Sequence, residues 1–112
     1  MDILSQDKKL GLYVENASKA QKDLGQKRAM LFAKRIAQIA AADSLEDLRN
    51  VSGHYHELKD NRKGQWACDL DQPYRLIFEP HDKPVPTDDN GRYIWIEIKG
   101  VELIEITNYH GK

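Results

Sequence analysis

The sequence predicts an α+β domain in which an N-terminal helical hairpin packs on a small, twisted, mainly antiparallel sheet. Before residue 45, apolar residues recur at the three- and four-residue spacing of amphipathic helices. After residue 50, short runs rich in β-branched and aromatic residues alternate with turn-forming residues. Helices followed by a series of strands are typical of the α+β class.

The first predicted helix lies in "LGLYVENASKAQKDL", residues 10–24, with Ser5 or Asp7 as its candidate N-cap. Gly25 interrupts the pattern, because glycine is a poor helix former. The apolar stripe of this helix comprises Leu10, Tyr13, Val14, Ala17 and Leu24. A second helical pattern begins directly after Gly25, so a helical hairpin is expected.

The second predicted helix lies in "QKRAMLFAKRIAQIAAA", residues 26–42. Its predicted apolar stripe comprises Ala29, Phe32, Ala33, Ile36, Ala37 and Ala40. This orientation leaves Lys34, Arg35 and Gln38 on the outward face. The following "ADSLEDL" predicts one further helical turn, with Ser44 as its N-cap.

Five runs after residue 50 predict consecutive antiparallel strands: "HYHELK", "QWACDL", "PYRLIF", "YIWIEIK" and "VELIEIT". Alternation places Trp66, Cys68 and Leu70 on one face, which we expect to be buried. The loop over residues 79–92 is rich in proline and aspartate and cannot be a central strand. No repeat or linker divides the chain, so a single domain over residues 1–112 is expected.

Composition indicates a globular protein, with 40% hydrophobic and 31% charged residues. No apolar run approaches the ~18 residues of a membrane span, and "MDILSQDKK" lacks the apolar stretch of a secretory leader. Cys68 is the only cysteine, which excludes an internal disulfide and a cysteine-based metal site. We therefore expect a cytoplasmic protein that uses no metal, cofactor or membrane.

Charge is distributed unevenly along a chain whose net charge is only −1. Residues 1–66 hold 12 Lys or Arg against 9 Asp or Glu, whereas residues 67–112 hold 5 against 9. A basic face can therefore exist on a nearly neutral protein, and binding to a polyanion would require one.

Side chains suited to phosphate chemistry concentrate in three places. The stretch "GHYHELKDNRKGQW", residues 53–66, holds two histidines and three basic residues, Arg75 lies in "PYRLIF", and Tyr109 and His110 lie near the C-terminus. Imidazole both accepts and donates protons near neutral pH, and cations stabilise charge on a phosphoryl oxygen. An endoribonuclease needs such a set to deprotonate the ribose 2′-hydroxyl, protonate the leaving 5′-oxygen and hold the phosphate.

Strand alternation leaves two points open. Arg75 lies on the face opposite Tyr74, so it either lines a cleft or forms an ion pair across the sheet with Asp or Glu. His54 and His56 share a face, but strict alternation places Lys59 on the other one. Lys59 joins the histidines only if alternation breaks near the "DNRKG" turn.

The order and spacing of "HELKDNRKGQW", "YRLIF" and a terminal "NYH" resemble the HigB branch of the RelE/ParE toxin superfamily. The resemblance covers nearly the whole chain and implies a RelE-like fold. It implies a ribosome-dependent endoribonuclease toxin of a type II toxin–antitoxin module, which cuts mRNA in the ribosomal A site and arrests growth. A cognate helix-turn-helix antitoxin, HigA-like, would neutralise it.

The catalytic residues that the resemblance implies are His56, Lys59, Arg75, Tyr109 and His110. His56 and His110 would be the proton-transfer pair. Lys59 and Arg75 would stabilise charge on the phosphate, and Tyr109 would stack on a base or handle a proton.

A second set, His54, Arg62 and Lys63, is expected to help bind RNA. Trp66 is expected to support the site from the core, because it shares its face with other apolar residues. The chain departs from the family at Asn108, where an aspartate is usual, and in the loop over residues 79–92, which looks like an insertion.

Other functions remain open at this point. Asn108 and the nearly neutral net charge favour a non-catalytic toxin-fold protein that still binds an antitoxin, and a gyrase-directed member of the superfamily is a further alternative. A plain α+β domain with ordinary surface histidines is the simplest interpretation of the polar residues.

Overall fold

This computed structural model describes residues 1–108 of the chain. Within them, a five-stranded mixed sheet packs with three helices. The predicted α+β class is therefore confirmed. The helices are α1 (Lys8–Glu15), α2 (Ala17–Leu24) and α3 (Gln26–Ala41). The strands are β1 (Asp2–Ser5), β2 (His56–Glu57), β3 (Trp66–Asp69), β4 (Arg75–Pro80) and β5 (Gly100–Thr107). Short 3₁₀ turns occupy Glu46–Asn50, Asp60–Arg62 and Trp95–Glu97.

The single helix predicted over residues 10–24 is two helices. Asp7, one of the two candidate caps, begins α1 by accepting a hydrogen bond of 3.0 Å from the backbone N–H of Leu10. Asn16 ends α1 in an extended conformation, and its side chain caps α2 by accepting a 3.0 Å hydrogen bond from the N–H of Lys19. Asparagine is a strong N-cap. The predicted two-helix hairpin is therefore a layer of three helices.

The strand order is β1-β5-β4-β3-β2. No strand was predicted at the N-terminus, yet β1 pairs in parallel with β5, with Asp2 opposite Gly100. The other three pairings are antiparallel. The prediction of a strand in "YIWIEIK" was wrong. Trp95 and Ile98 are both buried, and their three-residue spacing fits the 3₁₀ turn found there rather than strand alternation.

The helices cover one face of the sheet and form the main core with it. This core includes Leu10, Phe32, Ile39, Trp66, Phe78 and Leu103. Trp66 is fully buried, as expected, and so are Cys68 and Leu70. A separate cluster of Leu58, Ala67 and Ile77, with Ile104 against it, lies on the other face, which we call the outer face. No helical residue belongs to that cluster.

The apolar stripe predicted for α3 was right for the buried Ala29 and Phe32 and wrong for its C-terminal half. Ile39 is fully buried and Arg35 is only 8% exposed, whereas Ala33, Ala37 and Ala40 are exposed. Burying the larger isoleucine removes more apolar surface from water than burying alanines, which favours this rotation.

The turn after α3 also differs from its prediction. The 3₁₀ turn begins at Glu46 after Leu45, so Ser44 is not its N-cap. The buried Ser44 hydroxyl has no hydrogen-bond partner among the described residues. None of the helices in residues 1–108 combines the length and hydropathy needed to cross a membrane.

Candidate active site on the outer face of the sheet

The outer face brings His56, Asp69 and Arg75 onto one side of three adjacent strands. His56 of β2 lies opposite Ala67 of β3, and Asp69 lies opposite Arg75 of β4. Because side chains alternate along strands and paired residues share a face, these side chains lie on the face that carries Ala67. His54 joins them from the segment just before β2.

The two histidines are in direct contact. Their rings stack with centroids 4.2 Å apart and an interplanar angle of 24°. The Nδ1 atom of His56 lies 2.8 Å from the carbonyl oxygen of His54. A carbonyl only accepts, so Nδ1 donates the proton, and the neutral ring carries its lone pair on Nε2. His56 is half-buried and can accept a proton at that atom.

Asp69 lies between His54 and Arg75. Its Oδ2 atom is 3.5 Å from Nδ1 of His54, and its Oδ1 atom is 3.7 Å from Nε of Arg75. The second distance is too long for a hydrogen bond, and the buried Oδ1 atom has no hydrogen-bond partner within residues 1–108. Arg75 thus faces a carboxylate across the sheet, as one alternative predicted, while its N–H groups make no hydrogen bond in the described chain.

Arg35, like Asp69, is a residue of this site that the sequence did not predict. Its Nε donates a 2.7 Å hydrogen bond to the carbonyl of Asp69, and Nη1 donates to Gln38 Oε1 at 3.2 Å and to the carbonyl of Ser52 at 3.5 Å. The hydroxyl of Tyr55 donates to the same Gln38 oxygen at 2.8 Å. Arg35 therefore ties the end of β3 to the segment that carries both histidines.

A sequence signal for this role does exist. Arg35 lies three residues after Phe32 and four before Ile39, which is the spacing of the buried face of α3. Arg35 was instead predicted to lie on the outward face, and burial of an unpaired charge would indeed be costly. Its partners are backbone carbonyls, which no side-chain pattern indicates.

Gly53 lies against this arginine, and its replacement by alanine is expected to destabilise the protein. Its φ is +123°, and an added Cβ would lie 2.8 Å from Cζ of Arg35. Backbone strain alone costs about 1–3 kcal/mol, and displacement of the guanidinium adds to it. Urea unfolding should show this loss, and the matched control is Gly91→Ala, where φ is +79° and no atom lies within 4 Å of the added Cβ. Equal losses in the two variants would contradict the role given to Arg35.

The other predicted site residues lie apart from this cluster. Lys59 is exposed at the start of the Asp60–Arg62 turn, and its side chain makes no hydrogen bond or ion pair within the described residues. Arg62 donates to Glu105 at 2.8 Å and to Gln65. The Nζ atom of Lys63 lies 5.8 Å from the ring centroid of Tyr93. The structure therefore brings together His54, His56 and Arg75, but not Lys59, Arg62 or Lys63.

The terminal pair Tyr109 and His110 lies outside the described residues. Thr107, the last residue of β5, pairs with Arg75. Asn108 follows and is exposed.

Carboxylates dominate the remainder of the outer face. Glu79 and Glu102 lie opposite each other and both accept hydrogen bonds from Gln6. Hydrogen bonds from Gln6 and His81 hold the pKa of Glu102 below its usual value. Lys83 pairs with Glu79 and Arg62 pairs with Glu105, so cations largely balance the carboxylates of this region. No three His, Cys, Asp or Glu side chains within residues 1–108 are grouped to hold a metal ion.

The helical layer carries a second surface feature, an open apolar groove of about 450 Å³. Its lining includes Tyr13, Val14, Met30, Ala33, Ile36 and Ala37. Met30 is 64% exposed and Val14 is 39% exposed, so large apolar side chains of this groove face solvent. An exposed apolar surface of this kind is typical of a protein-binding site.

Comparison with known proteins gives no family assignment: no protein-family model matches this chain, and no curated protein matches it at a significant level.

Proposed function

We propose that this protein is a ribosome-dependent mRNA endoribonuclease of a type II toxin–antitoxin module, with the fold and activity of the HigB branch of the RelE/ParE superfamily. The observation that carries the proposal is the location of His56 and Arg75 on one open sheet face, beside His54. His56 offers a proton acceptor, and Arg75 offers a cation that lies 3.7 Å from Asp69 but makes no side-chain hydrogen bond within the described residues. The sequence motifs support the ribosome and the antitoxin as partners.

In the proposed reaction, Nε2 of His56 accepts the proton of a ribose 2′-hydroxyl while the oxygen attacks the adjacent phosphorus. The bond from phosphorus to the 5′-oxygen breaks, and that oxygen receives a proton from a second group, for which the resemblance implies His110. The products are a 2′,3′-cyclic phosphate and a 5′-hydroxyl. Arg75 stabilises the charge on the non-bridging oxygens. The chemistry uses side chains alone, without a metal ion or cofactor.

The proposal also retains the roles that the resemblance implies for Lys59, Tyr109 and the second set of residues. Lys59 is a further cation for the phosphate, and Tyr109 stacks on a base of the mRNA. Arg62 and Lys63 lie outside the histidine cluster, so RNA binding rather than chemistry is the role proposed for them. The protein would act in the cytoplasm, where it meets translating ribosomes.

The apolar groove on the helices supports the antitoxin half of the proposal. Residues 8–41 hold eight Lys or Arg against two Asp or Glu, so the helical layer is basic. Lys27 and Lys34 lie three residues before and four residues after Met30, which places them beside it on the surface of α3. An amphipathic helix with acidic flanks would complement this surface. We propose that the HigA-like antitoxin supplies such a segment.

A non-catalytic, antitoxin-binding protein is the second candidate. One observation favours it, because Arg75 and Arg62 already face carboxylates, Asp69 and Glu105, at 3.7 and 2.8 Å. A carboxylate beside each arginine weakens its attraction for a phosphate. This candidate predicts a stable complex with the antitoxin and no RNA cleavage on ribosomes.

Induction of the protein in a sensitive bacterial host tests the proposal. Wild type should arrest growth, and His56→Ala should relieve the arrest at an equal protein level. His110→Ala tests the donor that the resemblance implies. His81→Ala is the matched control, since His81 is exposed and pairs with Glu102 away from the cluster. Growth unaffected by wild type, or arrest that persists unchanged in His56→Ala, would refute the proposed function.

A further inference from the structure

His54 lies beside His56 in an arrangement that the family resemblance does not account for. The Nδ1 atom of each ring faces the protein. In His54 it lies 3.5 Å from the Asp69 carboxylate, and in His56 it lies 2.8 Å from the backbone carbonyl of His54. Within residues 1–108 neither Nε2 atom has a hydrogen-bond partner. Two imidazoles thus stack at 4.2 Å with one nitrogen each available to a ligand.

We propose that His54, oriented by Asp69, is the second catalytic histidine and donates the proton to the leaving oxygen while His56 accepts the proton of the nucleophile. The inference rests on the proposed endoribonuclease function. It assigns to His54 the donor role that the resemblance implies for His110.

The partners of the two rings suit them to different roles. Asp69 places a carboxylate oxygen 3.5 Å from Nδ1 of His54, whereas Nδ1 of His56 meets a backbone carbonyl that leaves its Nε2 as the proton acceptor. The charged groups that face His54 are His56 on its own segment, Asp69 on β3 and Arg75 on β4 beyond Asp69. This division of roles follows the general pattern in which a carboxylate holds the tautomer of a catalytic histidine.

Stacking also suits the geometry of the reaction. In an in-line displacement the entering and leaving oxygens lie on opposite sides of phosphorus. In the proposed complex, the phosphate lies across the edges of the two stacked rings, with its entering oxygen at His56 and its leaving oxygen at His54. The bond from the 2′-oxygen to phosphorus forms and the bond to the 5′-oxygen breaks. One proton passes to Nε2 of His56 and one leaves Nε2 of His54, and exchange with solvent restores both rings.

The backbone beside this pair is anchored by a buried side chain. Arg35 donates to the carbonyls of Asp69 and Ser52, so the carboxylate and the histidine segment share one buried anchor. Preorganisation of this kind keeps proton-transfer groups in place before the substrate arrives.

The test compares two mRNA substrates on purified ribosomes, one with the natural 5′-oxygen at the cleavage site and one with a bridging 5′-sulfur there. Sulfur leaves as a thiolate and needs no proton from the enzyme. His54→Asn should slow cleavage of the oxygen substrate about 100-fold and should cleave the sulfur substrate at nearly the wild-type rate. His56→Ala should be slow on both. His54 has a side chain 61% exposed, so its replacement should leave the fold intact, as circular dichroism would confirm.

The pH–rate profile gives a second readout. A donor must be protonated, so the wild-type rate should fall at high pH, and His54→Asn should lose that alkaline limb. A wild-type rate in His54→Asn, equal loss on both substrates, or sulfur rescue of His110→Ala instead would overturn the assignment. Wild type that cleaves neither substrate would refute the proposed function itself.

Discussion

Replacement of His56 by alanine is expected to lower the rate of ribosome-dependent mRNA cleavage by about 10²–10⁴-fold, the range typical for loss of a general base. The physical reason is the lone pair on Nε2, which the hydrogen bond from Nδ1 to the His54 carbonyl leaves available. Single-turnover cleavage at saturating protein measures this step, because product release does not limit it.

The fold should survive this change, since the His56 side chain is only half-buried and its ring contacts are confined to the outer face. His81→Ala is the matched control and should retain the wild-type rate. A His56→Ala protein that is folded and cleaves at the wild-type rate would show that His56 is not the base.

Replacement of Trp66 by alanine is expected to lower the free energy of unfolding by about 3–5 kcal/mol, as for other large aromatic residues removed from a core. Trp66 is fully buried, its ring packs edge-on against Trp95 at a centroid distance of 5.5 Å, and the Arg49 guanidinium lies 4.8 Å from the ring. Equilibrium denaturation with urea gives the free energy directly.

Two variants sharpen this experiment. Trp66→Phe should recover most of the loss, because the indole N–H has no hydrogen-bond partner among the described residues. Ile96→Ala is a surface control, since Ile96 is 58% exposed, and it should cost little. A Trp66→Ala protein of wild-type stability that fails to cleave RNA would instead indicate a base-stacking role for Trp66.

The local sequence pattern was sufficient to predict burial where the residues of a single element determine its structure. The buried strand faces of Trp66 and Leu76, and the opposite face of Arg75, follow from alternation alone. Pattern failed at Asn16, because an internal helix cap competes with a continuous helix and both fit the same apolar spacing. It failed at β1 because the strand's partner, β5, lies nearly one chain length away and leaves no local signal.

The candidate site was predicted only in part for a similar reason. The contact between His54 and His56 agrees with the shared face that their spacing predicts. Asp69 and Arg35 were not predicted, because their roles depend on packing between α3, β3 and the loop before β2. Such contacts between distant segments cannot be derived from the period of any one segment.

Cleavage of an end-labelled mRNA on purified, programmed ribosomes tests the central claim most directly. Wild-type protein should cut within the codon in the ribosomal A site, leave a 2′,3′-cyclic phosphate and a 5′-hydroxyl, and fail to cut the same mRNA without ribosomes. An intact mRNA after incubation of folded wild-type protein with programmed ribosomes would contradict the account.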